Sequence, residues 1–328
     1  MPKVLLTRQY PALAHELLAA AGLDVIVWPE PRPMTPEELV EQSKKADALL
    51  CTITDKITPE FLRQCPHIKV LAQFGVGYDN INVPEATKYG VAVGNTPGVL
   101  TDATADTAFA LLLCVSRKVL HNHKKILAGG WKSFEPDKSL GIELKGKTLG
   151  ILGLGRIGME MARRCKGAYS MNILYHNRSK NSSAEKELGA RLVSFDELLG
   201  ESDIVSAHCA LTAGTRGIFN KDAFAKMKQT AIFINTARGP VHNEEDLHEA
   251  LVSKKIWGAG LDVTNPEPMS FDNPLLSMEN VAIFPHIGSA TEEARNGMAR
   301  LAAENIIGYF KDGVVPNNVN PDYKNFKS

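Results

Sequence analysis

The sequence predicts an α/β protein of two doubly wound parallel-sheet domains, one inserted in the other. Apolar runs of strand length alternate with helix-length segments along nearly all of the chain. Residues 1–96 hold five such units, enough for a sheet of their own. A second series starts after a long apolar helix near residue 100 and stops near residue 290, before a closing helix expected to return to the first domain. The expected boundaries are 1–99 with 291–328 for the outer domain and 100–290 for the inserted one. A chain of 328 residues is long enough for both.

In the outer domain, strands are predicted at 4–7, 25–28, 48–52, 70–74 and 91–93. Between them lie helices at 12–21 and 83–89, and two helices with their own start signals. Thr35-Pro36-Glu37-Glu38 supplies an N-cap threonine, proline at the first helical position and a glutamate at the third. Thr58-Pro59-Glu60 repeats the threonine and proline. Residues 101–127 read as one long Ala- and Leu-rich helix, ended by Gly129-Gly130, with a loop at 131–146.

The inserted domain is organised around 147–178. A strand at 148–152 runs into Gly153, Gly155 and Gly158 at G-x-G-x-x-G spacing. A helix follows over 159–166, with Ile157, Met161, Ala162 and Cys165 on one face, then a strand over 173–175. That context makes the glycines a dinucleotide fingerprint and the domain a Rossmann fold. Gly153 permits the tight turn, Gly155 a close backbone approach to a pyrophosphate, and Gly158 close helix–strand packing. The helix N-terminus offers N–H groups to the phosphates. Strands continue at 191–193, 204–207, 231–235, 259–263 and 281–284. Helices start at the Ser194…Glu197 capping box, at 221 after Asn220 and at 244 after Asn243. The last helix spans 291–311 and ends at Gly313.

Composition excludes several classes. Apolar content is 44% and charged content 23%, as in ordinary globular proteins. Lys+Arg and Asp+Glu both number 37, so no basic surplus points to nucleic acid or an anionic membrane. The apolar run at 108–115 is too short to span a bilayer. The N-terminal Met-Pro-Lys-Val-Leu-Leu-Thr lacks a signal-peptide layout. Five scattered cysteines without a C-x-x-C fit a reducing, cytoplasmic location. The nine histidines form no metal-ligand spacing, and His121 and His123 point to different helix faces. No metal is expected.

Cofactor choice is read at the end of the second strand. NAD-preferring sites place Asp or Glu about 20 residues beyond the glycines, to bind the ribose 2′-OH. Here Asn177 stands 19 residues beyond Gly158, followed by Arg178 and Ser179. A carboxylate would repel a 2′-phosphate, whereas these three can donate to it. The expectation is NADP(H), with NAD(H) as the alternative.

Three polar residues follow strand ends, where open α/β sheets bind ligands. They are Arg238, Glu267 and His286. Hydride transfer to a 2-oxo acid needs a cation for the carboxylate, and a guanidinium can grip it with two bonds. It needs a proton donor for the carbonyl oxygen, a role that suits histidine. It also needs a carboxylate to orient that imidazole. Taken singly, each residue has a plainer reading as a surface, loop or packing residue, and spacing alone does not bring them together.

Gly153-Leu-Gly-Arg-Ile-Gly158, Asn235-Thr-Ala-Arg-Gly239, Gly260-Leu-Asp-Val263 with Glu267-Pro268, and Pro285-His-Ile-Gly-Ser-Ala-Thr291 resemble the D-isomer-specific 2-hydroxyacid dehydrogenases over nearly the whole chain. The resemblance implies a Rossmann cofactor domain inserted in a flavodoxin-like substrate domain, with Arg238, Glu267 and His286 as the catalytic trio. It implies that the backbone N–H groups of Val76 and Gly77 hold the substrate carboxylate, alongside Arg238 and His286. It places Thr104, Arg156, Ile157, Cys209, Ala210, Thr215, Thr236, Asp262 and Ser289 at the cofactor, and Arg238 and His286 beside the nicotinamide. Two positions depart from the family pattern: Ala210 stands where proline is frequent, and Asp106 where glutamate is common.

Within the family, Asn177-Arg178, the Gly-Val-Gly-Tyr-Asp-Asn loop and the lack of room for a regulatory domain look like the glyoxylate and hydroxypyruvate reductases. A 2-ketogluconate-type acid is the alternative substrate, and a cofactor-sensing corepressor the alternative class. The resemblance also implies a homodimer through 101–127 and the following loop, where Phe134 either lines the partner's site or packs in the interface.

Overall fold

A computed structural model of the chain describes residues 1–326. It divides into two compact units, Met1–Leu100 together with the chain from Ala290 onward, and Thr101–Ser289. The first unit alternates β1 (Lys3–Leu6), α1 (Ala12–Ala20), β2 (Asp24–Val27), α2 (Pro36–Ser43), β3 (Ala48–Cys51), α3 (Pro59–Gln64), β4 (Val70–Gln73), α4 (Val83–Lys88) and β5 (Ala92–Gly94). All pairings are parallel, in the order β2-β1-β3-β4-β5. This is the flavodoxin-like order. Both faces are covered, so β3 and β4 are buried at every position. Two start signals act as expected, since Thr35 and Glu38 form a reciprocal capping box and Thr58 accepts from Phe61 N–H; Asn82, which was not singled out, likewise accepts from Glu85 N–H.

The second unit runs α5 (Thr101–Ser116), α6 (Val119–Leu127), β6 (Thr148–Leu152), α7 (Arg156–Tyr169), β7 (Asn172–His176), α8 (Ser182–Leu188), β8 (Arg191–Leu192), α9 (Phe195–Glu201), β9 (Ile204–Ala207), α10 (Lys221–Lys226), β10 (Ile232–Asn235), α11 (Glu244–Val252), β11 (Gly258–Leu261) and β12 (Val281–Ile283). Its parallel sheet has the order β12-β11-β10-β9-β6-β7-β8, a Rossmann order with one strand added. Alternation along β10 serves both faces. Ile232 and Ile234 join the core under α5 and α7, while Phe233 joins the core under α9, α10 and α11. Gly258 and Gly260 leave room for Val115 and Leu111 of α5, because a Cβ at either would come within 3.0 Å of them. The chain then forms α12 (Glu292–Asp312), which packs on α1, β3 and β4 of the first unit.

Two expectations are corrected. Residues 101–127 are not one helix, because Lys118 sits at φ 51° between α5 and α6. The carbonyl of Ser116 accepts instead from Ile142 N–H at 2.8 Å, where Gly141 lets the later loop approach. That competing partner removes a helical bond and ends α5. The second omission is α8, a short polar segment of which only Ala184 and Leu188 are buried. Its signal was the N-cap Asn181, whose side chain accepts from Ala184 N–H.

No helix among the described residues is long and apolar enough to cross a membrane. Among the same residues, no group of three or more His, Cys, Asp or Glu is placed to hold a metal ion. The five cysteines carry no disulfide.

Candidate active site

Within the second unit, the expected catalytic and cofactor residues lie in α5 or beyond the C-terminal end of a strand. After β6 the chain turns at Gly153, φ 94°, where a Cβ would come 2.7 Å from Cys209 N. No other residue fits there, and the contact joins this turn to the loop after β9. A Cβ at Gly158 would lie 2.7 Å from Gly153 O and 3.1 Å from Ile151 Cγ2, so α7 rests directly on β6. Gly155 is the N-cap of α7 and supplies no side-chain cap; its Cβ direction is open to at least 4 Å. Gly155 and Arg156 are exposed and Ile157 half-buried. Uncapped helical N–H groups beside an open glycine suit a pyrophosphate, so the cradle fits a dinucleotide.

At the end of β7, Asn177 was expected to donate outward. Its Oδ1 instead accepts from Leu154 N–H at 2.7 Å, and Asn181 Nδ2 donates to Leu154 O at 3.0 Å. The two asparagines fasten the glycine turn. Arg178 and Ser179 remain exposed beyond it. After β9, Thr215 staples its own turn: its Oγ1 donates to Ala210 O at 2.7 Å and accepts from Thr212 N–H at 2.8 Å. Ala210 is exposed, so the turn lacks the stiffness of proline but keeps this bond. Cys209 is partly covered, and burial pushes its thiol up to about 11.

Arg238 is set by the residues around it. Buried Asn235 donates to Arg238 O at 2.8 Å and accepts from Ala237 N–H at 2.9 Å. Thr236 is buried between them. Gly239 opens a single 3-10 turn, Gly239–Val241. A Cβ on Gly239 would fall 1.8 Å from Thr264 O, so the Arg238 turn is pressed against the loop that carries Glu267. That loop is held from α11. Glu244 accepts from Asn265 N–H at 3.1 Å and from Asn273 Nδ2 at 2.6 Å.

His286 follows β12 at φ 54°, a conformation that side chains with a Cβ rarely adopt. Asp262 holds it there. His286 N–H donates to Asp262 O at 2.9 Å, and the Asp262 carboxylate accepts from Ile287 N–H and Gly288 N–H, both at 2.8 Å. Asp262 is buried, which pushes its carboxyl above the ordinary range against the pull of those two bonds. A Cβ on Gly288 would come 2.9 Å from Asp262 Oδ2 and 3.3 Å from Thr104 Cγ2, which puts Thr104 of α5 at the same loop. Ser289 follows, half-buried. His286 Nδ1 is hydrogen-bonded to Glu267 Oε1. The imidazole is thereby fixed at one nitrogen, and the other is left for chemistry.

Sequence reading thus named the histidine and its carboxylate, which meet. It missed the residues that hold the loops: Asn235, Glu244, and His242, which shares the Asn235 amide at 3.0 Å. Asn235 had a usable signal, since it stands in the Asn-Thr-Ala-Arg motif; Glu244 had none beyond a helix start.

In the first unit, the loop after β4 carries Val76 and Gly77. Neither glycine of the loop, Gly75 or Gly77, has a positive φ. Among the described residues, the amide N–H groups of Val76 and Gly77 donate to no protein acceptor. Val76 is exposed and Gly77 half-buried.

Comparison with known proteins places this geometry. Residues 109–288 match the family described as D-isomer specific 2-hydroxyacid dehydrogenase, NAD binding domain. A glyoxylate reductase of Thermococcus litoralis is 46% identical over 325 residues, 98% of this chain and 97% of that protein. The crystal structure of a Thermus thermophilus protein superposes with a TM-score of 0.89 at 40% identity, covering 97% of this chain and 99% of the other. An NADPH-dependent glyoxylate/hydroxypyruvate reductase of Sinorhizobium meliloti, solved with NADP and malonate, superposes with a TM-score of 0.85 at 28% identity, covering 100% and 98%.

Proposed function

The chain belongs to the D-isomer-specific 2-hydroxyacid dehydrogenase family, the NAD(P)-dependent oxidoreductases of 2-hydroxy acids, and from that premise we propose that it reduces glyoxylate and hydroxypyruvate with NADPH. The observation that carries the reading is the His286–Glu267 pair, which follows strand ends of the same sheet that carries the dinucleotide cradle. The substrate follows the Thermococcus relative, and the pairing of substrate with NADPH follows the Sinorhizobium one.

When bound, the reduced nicotinamide supplies a hydride to the C2 carbonyl of the 2-oxo acid. The chain's own residues do the rest. Gly153, Gly155, Arg156, Ile157 and Gly158 receive the pyrophosphate, and Arg178 and Ser179 donate to the 2′-phosphate. Cys209, Ala210 and Thr215 line the adenosine side; Thr104, Thr236, Asp262 and Ser289 lie toward the nicotinamide. Val76 N–H, Gly77 N–H and the Arg238 guanidinium bind the substrate carboxylate. Glu267 fixes the orientation and tautomer of His286 through Nδ1, and His286 Nε2 passes a proton to the developing alkoxide. In this reading the first unit is the substrate domain and the second the cofactor domain.

We also infer a homodimer, supported by the exposed Leu127, Trp131 and Phe134 of α6 and its following loop. A cytoplasmic location is supported by five unbridged cysteines. Sedimentation velocity tests the dimer.

The enzymatic reading is tested by assaying glyoxylate, hydroxypyruvate and 2-ketogluconate with NADPH and NADH in parallel. We expect glyoxylate and hydroxypyruvate to lead, with kcat/KM for NADPH at least tenfold above NADH. Equal efficiency with the two cofactors would overturn the role of Arg178 and Ser179. Cofactor binding without turnover on any of the acids would overturn the enzyme assignment.

A further inference from the structure

We propose that Asn95 is a positioning residue for carboxylate recognition, holding the Val76–Gly77 peptide so that the Gly77 N–H is presented to the substrate anion. This role rests on the functional reading above and deepens it.

In a trans peptide the carbonyl and the following N–H point in opposite directions, so fixing one fixes the other. The bonds at Val76 and Gly77 are trans. Gly75 O accepts from Thr96 N–H at 3.0 Å, which turns Val76 N–H the opposite way. Val76 O accepts from Asn95 Nδ2 at 2.8 Å, which does the same for Gly77 N–H. Two consecutive N–H groups therefore face away from β5, and neither donates to an acceptor among the described residues. Adjacent N–H groups of this kind form a concavity suited to an anion.

The two anchors differ in kind. Thr96 acts through its backbone and is indifferent to side chain. Asn95 acts through its amide alone, and that amide is built in. Asn95 is 9% exposed. Its N–H donates to Asn317 O at 3.1 Å, and its carbonyl accepts from Asn305 Nδ2 at 2.9 Å. Asn305, fully buried on α12, also accepts from Asn317 N–H at 2.9 Å. Gly94 completes the fit, since a Cβ there would strike Asn305 at 2.7 Å. A further bond on the loop, Gln73 Nε2 to Gly77 O, is longer at 3.3 Å and holds the next peptide. Without the Asn95 donor, the Val76–Gly77 peptide can rotate, because glycine tolerates the new φ. Rotation would aim a carbonyl oxygen at the carboxylate.

Asn95→Ala and Asn95→Asp test this with glyoxylate at saturating NADPH. The aspartate variant keeps the shape and both backbone bonds but only accepts, so it stays informative if the alanine variant fails to fold. In both we expect KM for glyoxylate to rise about tenfold or more, as for a lost hydrogen bond to a charged group. The rise should be larger in Asn95→Asp, where a like charge is added. We expect kcat to change less than about threefold and the NADPH Kd, read by fluorescence titration, to be unchanged. A KM within twofold of wild type in a folded variant overturns the proposal. So does a loss in kcat and NADPH affinity with KM unmoved, the pattern of a merely structural residue. Absence of NADPH-dependent glyoxylate turnover in the wild type is a separate result and overturns the functional reading instead.

Discussion

At the residue scale, His286 shows how an imidazole at a strand end is fixed by the groups around it. Its left-handed φ of 54° is a conformation that costs about 1–3 kcal/mol for a residue with a Cβ. Three backbone N–H bonds to Asp262 hold the loop in place against that cost. Glu267 then fixes the ring through Nδ1. If His286 donates the proton, His286→Ala should lower kcat with glyoxylate by ~10²–10⁴-fold, the usual worth of general acid catalysis. The NADPH dissociation constant should stay within about threefold. Turnover at the wild-type rate would refute the role. The contact between His286 and Glu267 was foreseeable because both residue types were singled out by their positions after strands. The holding residues were not, because their partners are backbone atoms far along the chain, from Asp262 to Gly288 and from Glu244 to Asn265. Asn177 shows the limit of a positional rule. It occupies the expected place but turns inward to Leu154.

At the element scale, most of the fold was readable because periodicity and caps are local. The Thr35, Ser194 and Asn243 starts hold to the residue. The break between α5 and α6 was not readable, since it depends on Gly141 and Ile142 reaching back to Ser116 from another segment. The end of α7 gives a test of local physics. Its C-cap is Ser170 at φ 52°, ψ 37°, with its N–H donating to Lys166 O. Helices usually end in this conformation on glycine, and a side chain there costs ~1–2 kcal/mol. Ser170 is exposed and its hydroxyl makes no hydrogen bond among the described residues. Ser170→Gly should therefore stabilise the second unit by about 1 kcal/mol, somewhat reduced by the added freedom of the unfolded chain. A rise in the urea midpoint with unchanged slope is the expected reading. A lower midpoint would mean that the serine stabilises the cap in some other way.

At the scale of the whole molecule, the placement of His242 predicts how stability responds to acid. Its ring is buried, Nδ1 meets the Asn235 amide, and Nε2 has no partner among the described residues. Burial pushes the imidazole down to about 4, whereas an unfolded chain titrates it near 6.5. The sign follows from proton counting. Between these values the unfolded chain binds a proton that the folded one refuses, so acid favours unfolding. The stabilising contribution is complete above about pH 6.5 and is lost as pH falls toward 4, at up to ~1.4 kcal/mol per pH unit. Asp262 and Asp55 act in the opposite sense, because burial raises both. Their contribution is lost as pH rises above the ordinary carboxylate range, and it partly masks the histidine in the total. A comparison removes the mask. His242→Asn keeps an acceptor for the Asn235 amide and cannot be protonated. Unfolding free energies of wild type and variant, measured from pH 4.5 to 7.5, should converge as pH falls, with the wild type showing the steeper slope below 6.5. Parallel curves across that range would mean that His242 takes up its proton in the folded protein as readily as in the unfolded chain, and would overturn the effect of its burial. In that case its proton would sit on the Asn235 side of the ring, and the amide that holds the Arg238 turn would need another acceptor.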